Sequence, residues 1–349
     1  MYAAKVARRV VPLALLMSLA LSCESSNVDP ADLRSVFEGS ARRSTSATAS
    51  ARPSPSASGA ASATTSIAPP VVREPPDSRC FTPSGSATPV RRVEGRPACR
   101  GAEVMEWREA SGDPRYGCLY ASADVLAQKP VPVVVFFHGT GPALDDPSGL
   151  TKLTSLRELS SSTRLAPDKQ GFAILGIQGR NFGASTNGFD IEHIAAENQD
   201  VLATDTFLDR LEERGLVDRA RVYAFGLGQG GTFALSYATI RADRVAAVGA
   251  FAPLPGAASW ECPTPPPPAW LLYRACDAIA PCAGLESWAE RRGGETQLIR
   301  VGDDAKAEPA CATRNKCTPK RATANHHRFP KGREKELLRF FSSHTLRAH

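Results

Sequence analysis

The sequence predicts an α/β protein built on a mostly parallel β-sheet with helices on both faces. Short apolar runs bounded by turn residues recur between residues 131 and 303, and amphipathic segments separate them. Alternation of this kind is typical of parallel sheets, whose strands are buried on both faces and joined by helices. The chain has 349 residues, of which 42% are hydrophobic and 22% charged, so it can bury a substantial core.

The predicted elements alternate along the chain in the order that this fold class requires. Strands are predicted at 131–139, 172–179, 221–226, 245–254, 269–276 and 296–303, and helices at 151–165, 191–215, 230–242, 284–292 and 333–346. In an open parallel sheet, binding and catalytic residues collect at the carboxyl ends of the strands. The residues that directly follow each apolar run are therefore the candidates for a functional site.

Residues 1–22 have the pattern of a secretory signal peptide. Lys5, Arg8 and Arg9 precede an apolar run at 10–21, which is shorter than the roughly 20 residues that a membrane-spanning helix needs. Cys23 follows Ala-Leu-Ser directly and resembles the lipid-modified cysteine of bacterial lipoproteins. We therefore expect export and a lipid anchor on Cys23 in the bacterial envelope, at the periplasmic side or the cell surface. Secretion without an anchor is the alternative.

Residues 23–77 are predicted to form a disordered tether behind the anchor. Between 41 and 70, Ala, Ser, Thr and Pro occupy 25 of 30 positions, which leaves almost no apolar surface to bury. We expect the folded domain to occupy 78–349 and the spacer to hold it away from a membrane.

The charge balance argues against a nucleic-acid partner. The net charge is +6, and removing the three basic residues of the signal segment lowers it to +3. That charge is too small to favour binding to phosphate backbones. We expect a monomer that needs no cofactor or metal.

Cysteine usage indicates an oxidising compartment. Nine cysteines are present, and setting Cys23 aside leaves eight: Cys80, Cys99, Cys118, Cys262, Cys276, Cys282, Cys311 and Cys317. The close spacing of Cys276 with Cys282 and of Cys311 with Cys317 favours two local disulfides. A zinc site is the weaker interpretation, because five residues separate each close pair rather than two to four.

Three motifs follow predicted strands in an informative order. His138-Gly139-Thr140-Gly141-Pro142 follows the first strand, and the turn 226–231 (GLGQGG) lies between a strand and a helix. Asp277 follows the strand at 269–276, and His326-His327 comes after the last strand. The order of elbow, acid and histidine is that of α/β-hydrolases, in which the elbow carries G-x-S-x-G.

The segments 221–238, 275–290 and 326–330 resemble the secreted polyhydroxybutyrate depolymerase, feruloyl esterase and acetylxylan esterase family. The resemblance covers about residues 115–345 and implies an α/β-hydrolase fold stabilised by disulfides. It assigns the acid to Asp277 and the base to His327, with His326 as the neighbouring alternative. The backbone around Thr140 and the N–H of Gln229 would form the oxyanion hole. Gly228 stands where the family has its nucleophilic serine.

Glycine at 228 has no hydroxyl for the imidazole to activate, so no covalent acyl-enzyme can form there. Loss of a triad serine costs on the order of 10⁶ in turnover. We therefore expect a non-hydrolytic domain that binds a small-molecule, polyester or polysaccharide-ester ligand. The alternative is an active ester hydrolase that uses an activated water or a substitute nucleophile, with Ser185, Thr186 and Thr232 as candidates.

Two further interpretations are weaker. Gly226, Gly228 and Gly231 match the spacing of a dinucleotide-binding loop, but the strand that follows supplies no acidic residue for a ribose. The acidic residues Asp200, Asp205 and Asp209 fit a solvated helix face better than a metal site.

Overall fold

The computed structural model describes residues 96–139, 171–180, 188–192, 194, 198–254, 265–304, 306–312, 317–318, 326 and 328–346. The predicted signal segment, Cys23, the tether and the predicted helix at 151–165 lie outside the described residues. Cys80 and Cys262 also lie outside them.

The described residues form one eight-stranded sheet in the order β1-β2-β4-β3-β5-β6-β7-β8. The strands are β1 (Glu103–Arg108), β2 (Pro114–Tyr120), β3 (Val131–Phe137), β4 (Ala173–Ile177), β5 (Val217–Leu227), β6 (Ala247–Phe251), β7 (Ala269–Arg274) and β8 (Thr296–Val301). The six strands from β3 to β8 pair in parallel, whereas β2 pairs antiparallel with β1 and β4. The predicted parallel sheet is confirmed.

The hairpin of β1 and β2 was not among the predicted elements. Most side chains of β1 are exposed or half-buried, because this strand lies at the edge of the sheet. An edge strand needs no continuous apolar run, and that run was the signal that identified the other strands.

Five helices have their bounds within the described part of the chain. They are α1 (Ala123–Leu126), α2 (Gln199–Glu213), α3 (Gln229–Ile240), α4 (Cys282–Arg292) and α5 (Glu334–Ser342). Asn198 caps α2, since its side-chain oxygen accepts hydrogen bonds from the N–H groups of Asp200 and Val201. The start of α2 therefore lies later than the predicted 191, at the first residue after this cap.

Alternate side chains of the central strands sort into two apolar layers. Val133, Val135 and Phe137 of β3 face the layer that includes α2 and α3, whereas Val134 and Phe136 face the layer that includes α5. The two-residue period of a strand produces this separation. Helices cover both faces of the sheet, as predicted.

Helix α5 closes the second layer with four buried apolar side chains: Leu337, Leu338, Phe340 and Phe341. The ring of Phe341 stacks on that of Tyr223 with centroids 4.8 Å apart. Burial of each such side chain contributes about 1.5–3 kcal/mol, so α5 contributes substantially to the stability of this layer.

Candidate active site

The sharp turn between β5 and α3 is the centre of the candidate site. Gly228 occupies it with φ +53° and ψ −121°, a conformation that side-chain-bearing residues rarely adopt. Its N–H donates to the carbonyl of Phe251 at 2.8 Å, and its carbonyl accepts from the N–H of Thr232 at 3.0 Å. The turn is thus fixed both to β6 and to the first turn of α3.

The neighbouring glycines allow α3 to start directly against the sheet. A Cβ on Gly226 would lie 2.1 Å from the carbonyl oxygen of Gly230, and a Cβ on Gly230 would lie 2.1 Å from that of His138. Neither distance is possible for a side chain. The small residues of the GLGQGG turn are therefore explained by packing, and the turn needs no dinucleotide to account for them.

Asp277 follows β7 at the same edge of the sheet. Its side chain is fully buried, and Oδ1 accepts hydrogen bonds from the N–H groups of Ile279 and Ala280 at 2.8 and 2.9 Å. These two bonds hold the carboxylate in one orientation. Oδ2 is directed at an imidazole.

That imidazole belongs to His326. Its Nδ1 lies 3.1 Å from Oδ2 of Asp277, and because an ionised carboxylate only accepts hydrogen bonds, Nδ1 is the donor. A Cβ placed on Gly228 would lie 3.1 Å from His326 Nε2. Gly228, His326 and Asp277 therefore follow one another in a line at the carboxyl ends of β5 and β7.

The predicted partner of Asp277 was His327, and the structure shows the preceding residue, His326, in that place. The structure places His326 against Asp277, and His327 lies outside the described residues. The two histidines are adjacent in sequence, and only the path of the chain decides which ring faces the carboxylate.

His138 orders the loop that follows β3. It is fully buried, Nδ1 donates to the carbonyl of Gly139 at 2.7 Å, and Nε2 accepts from the N–H of Gly179 at 2.9 Å. Burial lowers the pKa of His138 to about 4, although the bond to Gly139 and the charge of Asp200 oppose this effect. The ring is therefore neutral at pH 7 and joins the ends of β3 and β4.

Of the two predicted oxyanion-hole residues, only Gln229 lies within the described part of the chain. Thr140 lies outside the described residues. Gln229 is the first residue of α3, where backbone N–H groups have no acceptor within the helix. Its side-chain oxygen accepts a hydrogen bond from the N–H of Phe189 at 3.3 Å, which ties the segment after residue 187 to the elbow.

Thr232 is unsuited to replace a nucleophilic serine. Its hydroxyl donates to the carbonyl of Leu254 at 3.0 Å and accepts from the N–H of the same residue at 2.7 Å. The side chain is buried and joins α3 to the segment after β6. The other two candidates, Ser185 and Thr186, lie outside the described residues.

The disulfides near Asp277 connect different cysteines from those predicted. Cys276 bonds Cys317 and Cys282 bonds Cys311, whereas a third bridge joins Cys99 to Cys118. The two predicted local bridges are wrong, because each cysteine of the first close pair bonds a cysteine of the second. Cys282, Cys311 and Glu286 lie close enough together to resemble a metal site, but the two sulfur atoms are bonded to each other in a disulfide.

The acidic residues of α2 do not form a solvated face. Asp200 is buried and pairs with the buried Arg115, and Asp205 pairs with Arg241 and Arg244. Asp209 is half-exposed but also bonds Arg244 at 2.8 Å. These partners come from β2 and from the region at the end of α3, and no local sequence pattern indicates them.

Comparison with known proteins bears on the fold of the chain. No protein-family model matches the chain. A stretch of 222 residues is 28% identical to "Putative esterase NocK" of Nocardia uniformis subsp. tsuyamanensis and covers 62% of this chain. The chain spans about three fifths of that protein's length, 61%.

Among solved structures, a thermostable esterase matches with a TM-score of 0.51 and 16% identity, over 71% of this chain and 64% of that one. A thermophilic esterase of the Planctomycetes species Thermogutta terrifontis, Est2, matches with a TM-score of 0.46 and 17% identity, over 61% of this chain and 86% of that one. The chain has an α/β-hydrolase fold, which it shares with the thermostable esterase.

Proposed function

We propose that this protein is an exported lipoprotein whose esterase-type domain binds a ligand without hydrolysing it. The observation that carries the proposal is the geometry at Gly228. The residue lies in the strained turn where α/β-hydrolases present a nucleophile, and a Cβ there would lie 3.1 Å from the imidazole of His326. Asp277 orients that imidazole from the other side.

The missing group in this arrangement is the attacking oxygen. In a serine hydrolase the imidazole takes the hydroxyl proton while the oxygen attacks the ester carbonyl, and the acid holds the imidazole in the required tautomer. Glycine supplies neither the oxygen nor the proton. An oxyanion hole and binding alone leave a rate of about 10³–10⁴ over water, which is far below that of an esterase.

The comparisons favour a ligand of the ester type. The matched proteins are described as esterases, and the sequence resembles enzymes that act on polyesters and polysaccharide esters. We propose that a small molecule, a polyester or a polysaccharide ester binds to the monomer at the carboxyl ends of β5 and β7. The buried Asp277–His326 pair would then contribute to binding rather than to acyl transfer.

Export is supported by the disulfides. Three are formed among the described cysteines, and such bonds persist in oxidising compartments. Among the described helices, none is both long enough and apolar enough to cross a bilayer. In this proposal the lipid on Cys23 anchors the protein and the segment 23–77 acts as the tether.

The test of the proposal uses the purified chain with a fluorophosphonate probe and p-nitrophenyl acetate. We expect no covalent labelling of the wild type and turnover close to the uncatalysed rate. Gly228→Ser should produce both labelling and turnover, at least 10²-fold above the wild type, because it restores the oxygen beside His326. His326 must shift by a few tenths of an ångström to accept the new side chain.

Two matched variants separate chemistry from shape. Gly228→Ala adds the same Cβ without a hydroxyl and should stay inactive. His326→Gln in the Gly228→Ser background should remove most of the gained activity. Stoichiometric labelling of the wild type, or a folded Gly228→Ser that stays inert, would contradict the proposed role of Gly228.

A second candidate is supported by the intact Asp277–His326 pair. An imidazole oriented by a carboxylate can act as a general base toward water, which would give slow hydrolysis without an acyl-enzyme. This candidate predicts wild-type turnover that His326→Gln abolishes, with no labelling by the fluorophosphonate. A wild-type rate that His326→Gln leaves unchanged would exclude it.

A further inference from the structure

Two links besides the Asp277 carboxylate connect the end of β7 to the segment that carries His326. Arg274 bonds the carbonyl of Arg328, two residues after His326, and Cys276 bonds Cys317, nine residues before it. We propose that Arg274 is a positioning residue that sets the place of His326 against Asp277 and Gly228, with the Cys276–Cys317 disulfide restraining the other side. The expected effect of this placement on activity in Gly228→Ser rests on the proposed function, whereas the position of the His326 ring does not.

Arg274 uses its whole guanidinium on backbone carbonyls. Nε and Nη2 donate to the carbonyl of Arg328 at 3.2 and 2.8 Å, and Nη1 donates to the carbonyls of Gly302 and Asp303 at 2.8 and 3.3 Å. The residue is only 4% exposed. It therefore joins three segments: the end of β7, the turn after β8 and the segment after His326.

The choice of arginine at this position has a physical reason. A planar guanidinium offers five N–H donors in fixed directions, whereas lysine offers three on a flexible stem. Among the described residues, no carboxylate lies within salt-bridge distance of Arg274. Burial and then the charge of Arg328 lower the pKa of Arg274, and only the charge of Asp277 opposes them. The burial of an unpaired cation is costly, which indicates that the carbonyl contacts are its purpose.

The two restraints differ in strength because their chain distances differ. Two residues of extended chain span at most about 7 Å, but nine span about 30 Å. Fixing the carbonyl of Arg328 therefore restrains His326 closely, whereas a bond at Cys317, nine residues away, is the weaker restraint by chain length alone. Arg274 is expected to be the dominant restraint.

The first test is proton NMR of the full oxidised chain. The proton that His326 Nδ1 donates to Asp277 should give a low-field resonance, identified by its loss in His326→Gln. Arg274→Met should shift this resonance or broaden it by exchange with water, and Arg274→Lys should give a smaller effect. A folded Arg274→Met chain with an unchanged resonance would overturn the proposal.

Arg292 provides a matched control. It is also buried, at 2% exposure, and donates to the carbonyl of Pro267 at 2.6 Å and to the hydroxyl of Thr296 at 3.2 Å, near the starts of β7 and β8. Arg292→Met should lower stability as Arg274→Met does but leave the His326 resonance in place. Equal effects of both variants on the resonance would show that Arg274 acts only through general stability.

Activity gives the second test, in the Gly228→Ser background with p-nitrophenyl acetate. Arg274→Met should lower kcat by about 10- to 100-fold with little change in KM, since a misplaced base impairs chemistry more than binding. Arg292→Met should stay within about 3-fold. An unchanged kcat in Arg274→Met would count against the proposal.

The proposed function and the positioning role of Arg274 can be contradicted independently of each other. If Gly228→Ser has no activity, the proposed function fails, but the resonance in the wild type still reports on Arg274. If Arg274→Met does not fold, Arg274→Lys takes its place, and an unchanged resonance in that variant would overturn the positioning role of Arg274. The double variant Cys276→Ser/Cys317→Ser should change the resonance less than Arg274→Lys does, because the disulfide is the weaker restraint; a larger change would contradict the dominance of Arg274.

Discussion

Gly228 adopts the positive-φ backbone conformation of the elbow, which strains any residue that carries a side chain. Such a backbone conformation costs a residue with a Cβ about 1–3 kcal/mol, so glycine favours the fold at this position. In our proposal the same glycine leaves the site without a nucleophilic hydroxyl. The same reasoning explains why the Asp277–His326 pair can remain: its hydrogen bonds satisfy buried polar atoms whether or not a nucleophile is present.

His138 gives a pH-dependent prediction at the same scale. Its pKa is about 4 when folded and 6.5 when unfolded, so between these values the unfolded chain binds more protons. Stability is therefore full above pH 6.5 and falls by about 3 kcal/mol as the pH drops toward 4. Urea unfolding of the wild type and of His138→Gln between pH 4 and 7.5 measures this. His138→Gln should be less stable at pH 7 and show a flatter profile; identical slopes would contradict the assignment.

At the scale of elements, buried charge joins α2 to the region after α3. Asp205 accepts hydrogen bonds from Nε of Arg241 at 2.6 Å and from the hydroxyl of Tyr237 at 2.9 Å, and it pairs with Arg244. Arg244 is 3% exposed and also bonds Glu212 at 2.7 Å. This cluster fixes α3, and with it the elbow, against the neighbouring helix.

Removal of the central carboxylate should therefore be costly. We expect Asp205→Asn to lower the free energy of unfolding by about 3 kcal/mol, because it leaves two arginines with too little buried negative charge. Asp209→Asn is the control, since the Asp209 side chain is 52% exposed, and it should cost less than about 1 kcal/mol. Chemical denaturation of both variants checks the difference. Equal costs would contradict the prediction that the more buried carboxylate at Asp205 matters more to stability than the exposed one at Asp209.

At the scale of the whole molecule, the folded domain and the residues before it have separate tasks in our proposal. The folded part carries the site and the disulfides, whereas Cys23 and the segment 23–77 determine location. The net charge of +6 falls to +3 without the signal segment and attracts a polyanion only weakly, so in our proposal contact with a membrane depends on the lipid.

Lipid attachment is testable in a bacterial host that expresses the full chain. The wild type should partition into the detergent phase of a Triton X-114 extract and carry the mass of acyl chains on Cys23. Cys23→Ser should leave that phase, whereas the nearby Ser25→Ala should behave as the wild type. Detergent partitioning of Cys23→Ser equal to that of the wild type would contradict the anchor.

The sequence predicted those features that depend on local pattern. Buried strands were visible as apolar runs, and the elbow was visible as a glycine-rich turn between β5 and α3. Gly228 and Asp277 were predicted as site residues because each comes shortly after a strand, and the topology brings such residues to one edge of the sheet.

Tertiary structure decided the features that depend on which distant groups meet. Whether His326 or His327 faces Asp277, how four cysteines pair, and whether Asp200 is solvated or buried all depend on the path of segments far apart in sequence. Arg274 gave no signal either, because its partners are backbone carbonyls that any residue supplies. Local propensity and periodicity act over a few residues, whereas these contacts are selected by the packing of the whole domain.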